Sequence, residues 1–145
     1  MSQTKDLTKE PPRSPRKHLG GFAILARSLD KGRALLAGKN GEDHFDCPLD
    51  NMLFGFKGVK GDQIKEQLQR GDSDDQIAAW LNSNGAKKTA EEIAAWDGEV
   101  EKASPYGNPE KRAWFSGECA KVGLDPAKAS LFDYLEADDK VSFKA

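Results

Sequence analysis

The sequence predicts an all-α protein, a single compact domain of about six or seven short helices. Apolar residues recur at helical spacing from Phe22 to Leu36. A Ser or Thr followed three residues later by Gln or Glu, which is typical of a helix start, occurs at Ser73 and again at Thr89. Pairs of a capping residue and proline indicate further starts at 108–109 and 125–126. At most one short strand is expected, near 42–47.

Residues 1–19 are predicted to form an extended, Pro-rich, basic arm, ahead of a helical domain at 20–145. Pro11, Pro12 and Pro15 fix backbone angles and remove hydrogen-bond donors, which disfavours a helix. Lysines and arginines outnumber acids in this stretch. Such an arm is either a solvated tail or a segment that binds an acidic protein partner.

The first helix is expected from Phe22 to a stop at Gly38. Gly32 lies inside this helix, where glycine is unfavourable, so it indicates a point of close packing. The polar residues of the helix are spaced so that several share a face. They form either a solvated face, the interpretation we favour, or a site for a carboxylate or phosphate. These residues are Arg27, Asp30, Lys31 and Arg33.

A second polar group lies at 43–47, which is either a loop or a short strand. His44 and Cys47 have a spacing that could serve a metal, but no second pair of such ligands exists, so we predict no metal site. Cys47 precedes Pro48, which can open a helix, and a thiol at a helix N-terminus can act as a nucleophile. His44 would then be its base. A buried, inert cysteine is the alternative.

A short helix is expected at 62–70, followed by the two strongest signatures. Each of these two helices carries Ile and Trp three residues apart, at Ile77 and Trp80 and at Ile93 and Trp96. Asn84-Gly85 forms a turn between them. The pair predicts an αα-hairpin with a Trp from each helix in the core.

The composition and the absence of known motifs argue against several classes of protein. The formal net charge is -2, so we expect no nucleic-acid binding. No apolar run is long enough to span a membrane. Only two cysteines are present, which indicates reduced thiols and a cytoplasmic location. Phosphate-binding, dinucleotide and common hydrolase motifs are absent, and no cofactor is predicted.

Several strings together resemble a bacterial domain-of-unknown-function family, DUF5069. They include residues 11–15, residues 19–22, residues 29–34 and the run from Cys47 to Asp50. The later Ile-x-x-Trp pairs also resemble this family. The resemblance implies a small, mostly helical cytoplasmic protein with no established activity, so it supplies no catalytic residues.

Two functional hypotheses follow. The first is a non-enzymatic interaction or small-ligand-binding protein. The second is a small enzyme that uses the polar residues of the first helix together with His44 and Cys47, which requires that these residues converge. The candidate ligand-binding residues are Arg13, Arg27, Asp30, Lys31, Arg33, His44, Cys47 and Asp50.

Overall fold

The computed structural model describes residues 4–143, and its regular structure is helical. The predicted all-α class is confirmed. The region 42–47 is a loop rather than a strand. Among the described residues, Leu19 and Phe22 form an isolated antiparallel β-bridge. The α-helices are α1 (Leu25–Leu36), α2 (Pro48–Lys57), α3 (Gly61–Gln69), α4 (Asp74–Ser83), α5 (Ala90–Lys102), α6 (Arg112–Lys121) and α7 (Leu131–Ser142).

The chain divides between Ala94 and Ala95 into two compact units. The first holds the N-terminal arm and α1 to α4, and the second holds most of α5 with α6 and α7. The boundary predicted at residue 19, between arm and helical domain, stays a prediction. In the part of the chain that the structure describes, no helix is both long enough and apolar enough to cross a membrane.

Helix α1 is the centre of the first unit. Every residue from Leu25 to Ala34 is buried, including the charged ones. The favoured interpretation of a solvated polar face is therefore wrong, because the charged side chains of α1 are buried. Gly32 is confirmed as a close-packing point. A Cβ there would overlap Leu68 Cδ1 and lie 3.1 Å from ring atoms of Phe45.

The described part of the arm, residues 4–19, contains no helix, in agreement with its prolines. It is nevertheless attached to the first unit. Leu7 is only 2% exposed, and its backbone N–H donates to the Lys39 carbonyl at 2.8 Å. The Pro15 carbonyl accepts from the Ile24 N–H at 2.8 Å. The described part of the arm is thus fixed to the first unit at Leu7 and at Pro15.

Helices α4 and α5 begin where the doubled signature predicts. Ser73 Oγ accepts from Gln76 N, and the Gln76 side chain accepts from Ser73 N. Thr89 and Glu92 make the same reciprocal pair. Each box satisfies two backbone donors that the helix itself cannot.

The prediction that a Trp from each helix lies in the core is wrong, because Trp80 and Trp96 are only half-buried. The buried stripe of α4 runs through Ile77, Ala78 and Leu81, which leaves Trp80 on its flank. In α5, Ile93 is buried at 7% exposure. The isoleucine of each pair, and not the tryptophan, faces inward.

The starts predicted at Asn108-Pro109 and Asp125-Pro126 are also wrong. The side chains of Asn108 and Asp125 accept from the N–H two residues on, so each closes a turn rather than a helix. Helix α7 begins later, at a capping box. Ser130 Oγ accepts from Asp133 N, and Asp133 Oδ2 accepts from Ser130 N. The third residue of this helix is an Asp, whereas the predicted signature has Glu or Gln at that position.

The second unit has an apolar, aromatic core. Phe115 and Cys119 are fully buried, and the Phe115 and Tyr134 rings meet edge to face with centroids 6.0 Å apart. Burial, followed by the charges of Asp138 and Glu118, raises the pKa of the Tyr134 hydroxyl. Neighbouring partly buried groups such as Leu131 and Leu135 pack against this core.

Candidate functional site: the ion pairs of helix α1

The first group of interest is the arginine cluster, which we define as Arg13, Asp30, Arg33 and Asp74. Asp30 is at its centre, with a side chain only 3% exposed. Its Oδ2 accepts from Arg13 N at 2.8 Å and Arg13 Nε at 3.1 Å, and its Oδ1 accepts from Arg13 Nη2 at 3.0 Å. This is the bidentate geometry that a guanidinium favours, extended by one backbone bond.

Asp74 connects the same arginine to a second one. Its Oδ2 lies 3.1 Å from Arg13 Nη1, and its Oδ1 accepts from Arg33 Nη1. Arg33 also donates to the Asp72 carbonyl at 3.3 Å. Asp74 is the first residue of α4, so its carboxylate joins the arm, α1 and α4.

The electrostatics of this cluster favour the charged forms. Burial alone would raise the pKa of the Asp74 carboxyl, but hydrogen bonds and charges from Arg33 and Arg13 outweigh it and lower that pKa. Burial likewise opposes the charge on Arg13, yet Asp30 and Asp74 outweigh it and raise its pKa. With two cations and two anions the cluster is balanced, so its groups satisfy one another.

The second group is the cysteine cluster, which we define as Ser28, Lys31, Cys47 and Asp50. Lys31 Nζ lies 2.9 Å from Asp50 Oδ1, with side chains 4% and 0% exposed. Ser28 Oγ donates to the same Oδ1 at 2.6 Å. The Asp46 N–H donates to Oδ2 at 2.8 Å. Asp50 is thus fully hydrogen-bonded, as a buried carboxylate requires.

Cys47 completes this cluster from the loop. It is half-buried and is the residue that precedes α2, with Pro48 in the first turn as predicted. Lys31 Nζ donates to its Sγ at 3.2 Å. The preceding residue, Asp46, has φ of 64°, a backbone conformation that a residue other than glycine rarely adopts. That turn aims Cys47 at α1.

The predicted site residues therefore separate into two groups. Arg13, Asp30 and Arg33 meet in the arginine cluster, whereas Lys31, Cys47 and Asp50 meet in the cysteine cluster. Two residues remain. Arg27 is buried beside the first cluster and donates to the Arg13 carbonyl at 3.3 Å. His44 is exposed, and no hydrogen bond joins it to Cys47.

Sequence reasoning missed Asp74 and Ser28. Asp74 fits the pattern of an acid in the first turn of a helix, and no sequence pattern singles out Ser28. A possible signal was the excess of basic residues within α1, which requires acids from elsewhere in a buried setting. Nothing in the pattern indicates which acid supplies them.

Another buried cation, Lys57, was also missed. Its Nζ donates to the Ala86 carbonyl at 2.7 Å, and its own carbonyl accepts from Ala86 N. Burial, with a smaller effect of Lys88, lowers the pKa of the Lys57 amine. A Cβ at Gly85 would overlap the Lys57 carbonyl oxygen, and φ there is 71°, so this turn requires glycine. Lys57 thus holds the 84–88 loop on the end of α2.

The arrangement limits which ligands these clusters can take. The donors of Arg13 and Arg33 already bind carboxylates of the same chain, which leaves an added anion to compete with Asp30 and Asp74. Among residues 4–143, no group of three or more His, Cys, Asp and Glu side chains could hold a metal ion. Cys47 is half-buried and is the more accessible of the two cysteines.

Comparison with known protein families gives a match over most of the chain. No curated protein sequence matches the chain. A family described as a domain of unknown function, DUF5069, matches residues 9–141. That range includes the arginine cluster, the cysteine cluster and the core of the second unit. The resemblance noted in the sequence is therefore confirmed, and the chain belongs to the DUF5069 family.

Proposed function

We propose that this protein is a non-enzymatic interaction protein whose N-terminal arm presents basic side chains to an acidic protein partner in the cytoplasm. The observation that carries the proposal is that the arm has one buried side and one exposed side. Leu7, Pro12 and Pro15 face inward and are buried, whereas Lys9 and Lys17 are exposed. A segment with this pattern is fixed on one side and accessible on the other.

The attachment of the arm supports binding. Arg13 fixes the middle of the arm on Asp30 through three hydrogen bonds, and Ile24 N holds Pro15. A segment that is already ordered loses little conformational entropy when a partner binds it. The arginine cluster then has a supporting role, because it holds the arm instead of a ligand.

Charge supports an acidic partner. Lys9 and Lys17 make no ion pair within the described chain, whereas Lys5 lies 3.4 Å from Glu10. His18, next to Lys17, is also exposed. Unpaired lysines at the rim of an interface attract carboxylates and accelerate association. A protein is favoured over nucleic acid because the net charge of the whole chain is -2.

The enzymatic alternative receives less support from the same contacts. It requires a base beside Cys47, and His44 makes no recorded bond to that residue. It also requires arginines that are available to a substrate, and Arg13 and Arg33 are paired with carboxylates.

The test combines cross-linking with measured affinity. A photoreactive amino acid replaces Lys17 in one variant and Lys128, an exposed lysine of the second unit, in a matched control. We expect a protein adduct at position 17 only. The captured protein is then expressed, and its Kd is measured with wild type and with the Lys9→Glu, Lys17→Glu double variant.

The double variant should bind about tenfold more weakly, and wild-type binding should weaken as salt rises. Lys128→Glu should leave the Kd unchanged. An adduct formed equally at both positions would refute the role of the arm. So would a Kd that is the same for wild type and for the Lys9→Glu, Lys17→Glu double variant.

A further inference from the structure

Cys47 and Lys31 place a sulfur and an amine nitrogen 3.2 Å apart on two different segments. We propose that this pair is a redox modification site, in which a hydroperoxide converts Cys47 to a form that Lys31 captures as a sulfur–nitrogen bond. The product, a sulfenamide, links α1 to the start of α2. This inference is independent of the partner proposed for the arm.

The amine is held in position for this reaction. The Lys31 side chain is 4% exposed, and its Nζ is fixed by Asp50 Oδ1 at 2.9 Å. Asp50 is itself held by Ser28 Oγ at 2.6 Å and by Asp46 N. A lysine on a surface samples many rotamers, whereas this one is confined beside the sulfur.

Cys47 is more accessible than the other cysteine of the chain. Cys47 is half-buried, whereas Cys119 is fully buried. Burial, followed by the charges of Asp125 and Glu118, raises the pKa of the Cys119 thiol, which makes that thiol less reactive. A small peroxide can therefore reach Cys47 and not Cys119, so Cys119 serves as an internal control.

The chemistry has two steps. In the first, the Cys47 sulfur attacks the peroxide, whose O–O bond breaks. Sulfur is oxidised to the sulfenic acid, and the other oxygen leaves reduced, as water or an alcohol. In the second, Lys31 Nζ attacks Sγ, an S–N bond forms and the S–O bond breaks.

The protons of the second step also balance. The Lys31 ammonium gives up two protons, of which one completes the departing water and the other passes to Asp50. The protein therefore loses two hydrogen atoms overall. A small thiol reverses the link by attacking Sγ, which releases the amine, and a second thiol then frees Cys47. The cross-link protects the sulfur from irreversible oxidation to the sulfinic acid.

Intact mass and peptide mapping test the proposal on the full-length protein treated with hydrogen peroxide. We expect a mass lower by two hydrogen atoms and a cross-linked peptide that joins Lys31 to Cys47. Trypsin should no longer cleave after Lys31, and dithiothreitol should restore both the mass and the cleavage. Cys119→Ser should react as wild type does, whereas Cys47→Ser should lose the cross-link.

Three results would overturn the proposal. They are a Cys47 that accumulates as sulfinic acid, a disulfide between two copies of the chain, and a cross-link that retains oxygen between sulfur and nitrogen. Lys31→Arg should abolish the cross-link and leave Cys47 open to over-oxidation. The mapping of wild-type protein decides the question even if that variant fails to fold.

Discussion

The two units of the molecule are organised around different kinds of centre. The first has α1, a helix that is buried from Leu25 to Ala34 and nevertheless carries Arg27, Asp30, Lys31 and Arg33. The second has Phe115 packed edge to face on Tyr134, with Cys119 beside them. Both units bury apolar side chains, but only at the centre of the first must buried charges also be paired.

This difference determines how the stability of each unit responds to substitutions. A buried ion pair contributes little net stability, because desolvation offsets attraction, but loss of one partner leaves an uncompensated buried charge. An aromatic core responds to lost volume and is indifferent to salt and pH over the physiological range. Charge variants should therefore affect the first unit much more than the second.

The largest effect is expected from Asp30→Asn. The amide keeps the shape of Asp30 but removes the charge that pairs with Arg13, so the free energy of unfolding should fall by about 3 kcal/mol. Urea denaturation measures the total loss, and hydrogen exchange should locate it in the first unit. Glu66→Gln, at an exposed position of α3, should change stability by less than about 0.5 kcal/mol.

Equal losses in Asp30→Asn and Glu66→Gln would show that the arginine cluster is not a structural centre. A loss of protection in the second unit as large as that in the first would contradict the contrast between the two centres.

A smaller effect, with opposite signs in the two units, is expected from replacing glycines within helices. Gly32→Ala should destabilise by about 1 to 2 kcal/mol, because its Cβ would overlap Leu68 and crowd Phe45. Gly117→Ala in α6 has nothing within 4 Å of the new Cβ. It should stabilise by up to about 1 kcal/mol through helix propensity alone. Thermal denaturation of both variants tests the pair, and a gain at Gly32 would refute the close packing.

The smallest effect concerns the contribution of Asp74 to stability at low pH. Because the pKa of Asp74 is lowered in the fold from its ordinary 3.8, its contribution is complete above that value and is lost as the pH falls through the folded pKa. Asp74→Asn should cost about 1 kcal/mol at neutral pH, and its difference from wild type should shrink below about pH 4. Urea denaturation across this range measures the difference. A constant difference at all pH values would exclude Asp74 ionisation as its source.

Local signals in the sequence predicted much of the fold. The capping boxes at Ser73 and Thr89 and the proline that opens α2 are confirmed, because each depends on neighbours in the chain. The close packing at Gly32 is also confirmed, although the residues that pack there are distant in sequence. The starts at Asn108 and Asp125 failed because an Asx turn and a helix cap use the same side-chain oxygen.

The site was harder to predict, for a different physical reason. From the sequence alone, the charged residues of α1 resemble a solvated face. Their partners Arg13 and Asp74 lie in distant segments of the chain. Burial of those charges depends on partners that lie far away in sequence, and the helical pattern records only which residues share a face. Cys47 was chosen for its place at a helix start, but its contact with Lys31 follows from the turn at Asp46.

The position of Asp74 has a consequence for the order in which the first unit assembles. Its bond to Arg33 closes a separation of 41 residues, and the bond from Arg13 to Asp30 closes 17. Contacts that close long loops form only after the ordering of the chain between them. We therefore expect the Asp74 contacts to form late in folding, so that removing this carboxylate speeds unfolding more than it slows folding. Because Arg13 stays bonded to Asp30, we expect loss of Asp74 to loosen α4 from the arm and to leave the arm attached to α1.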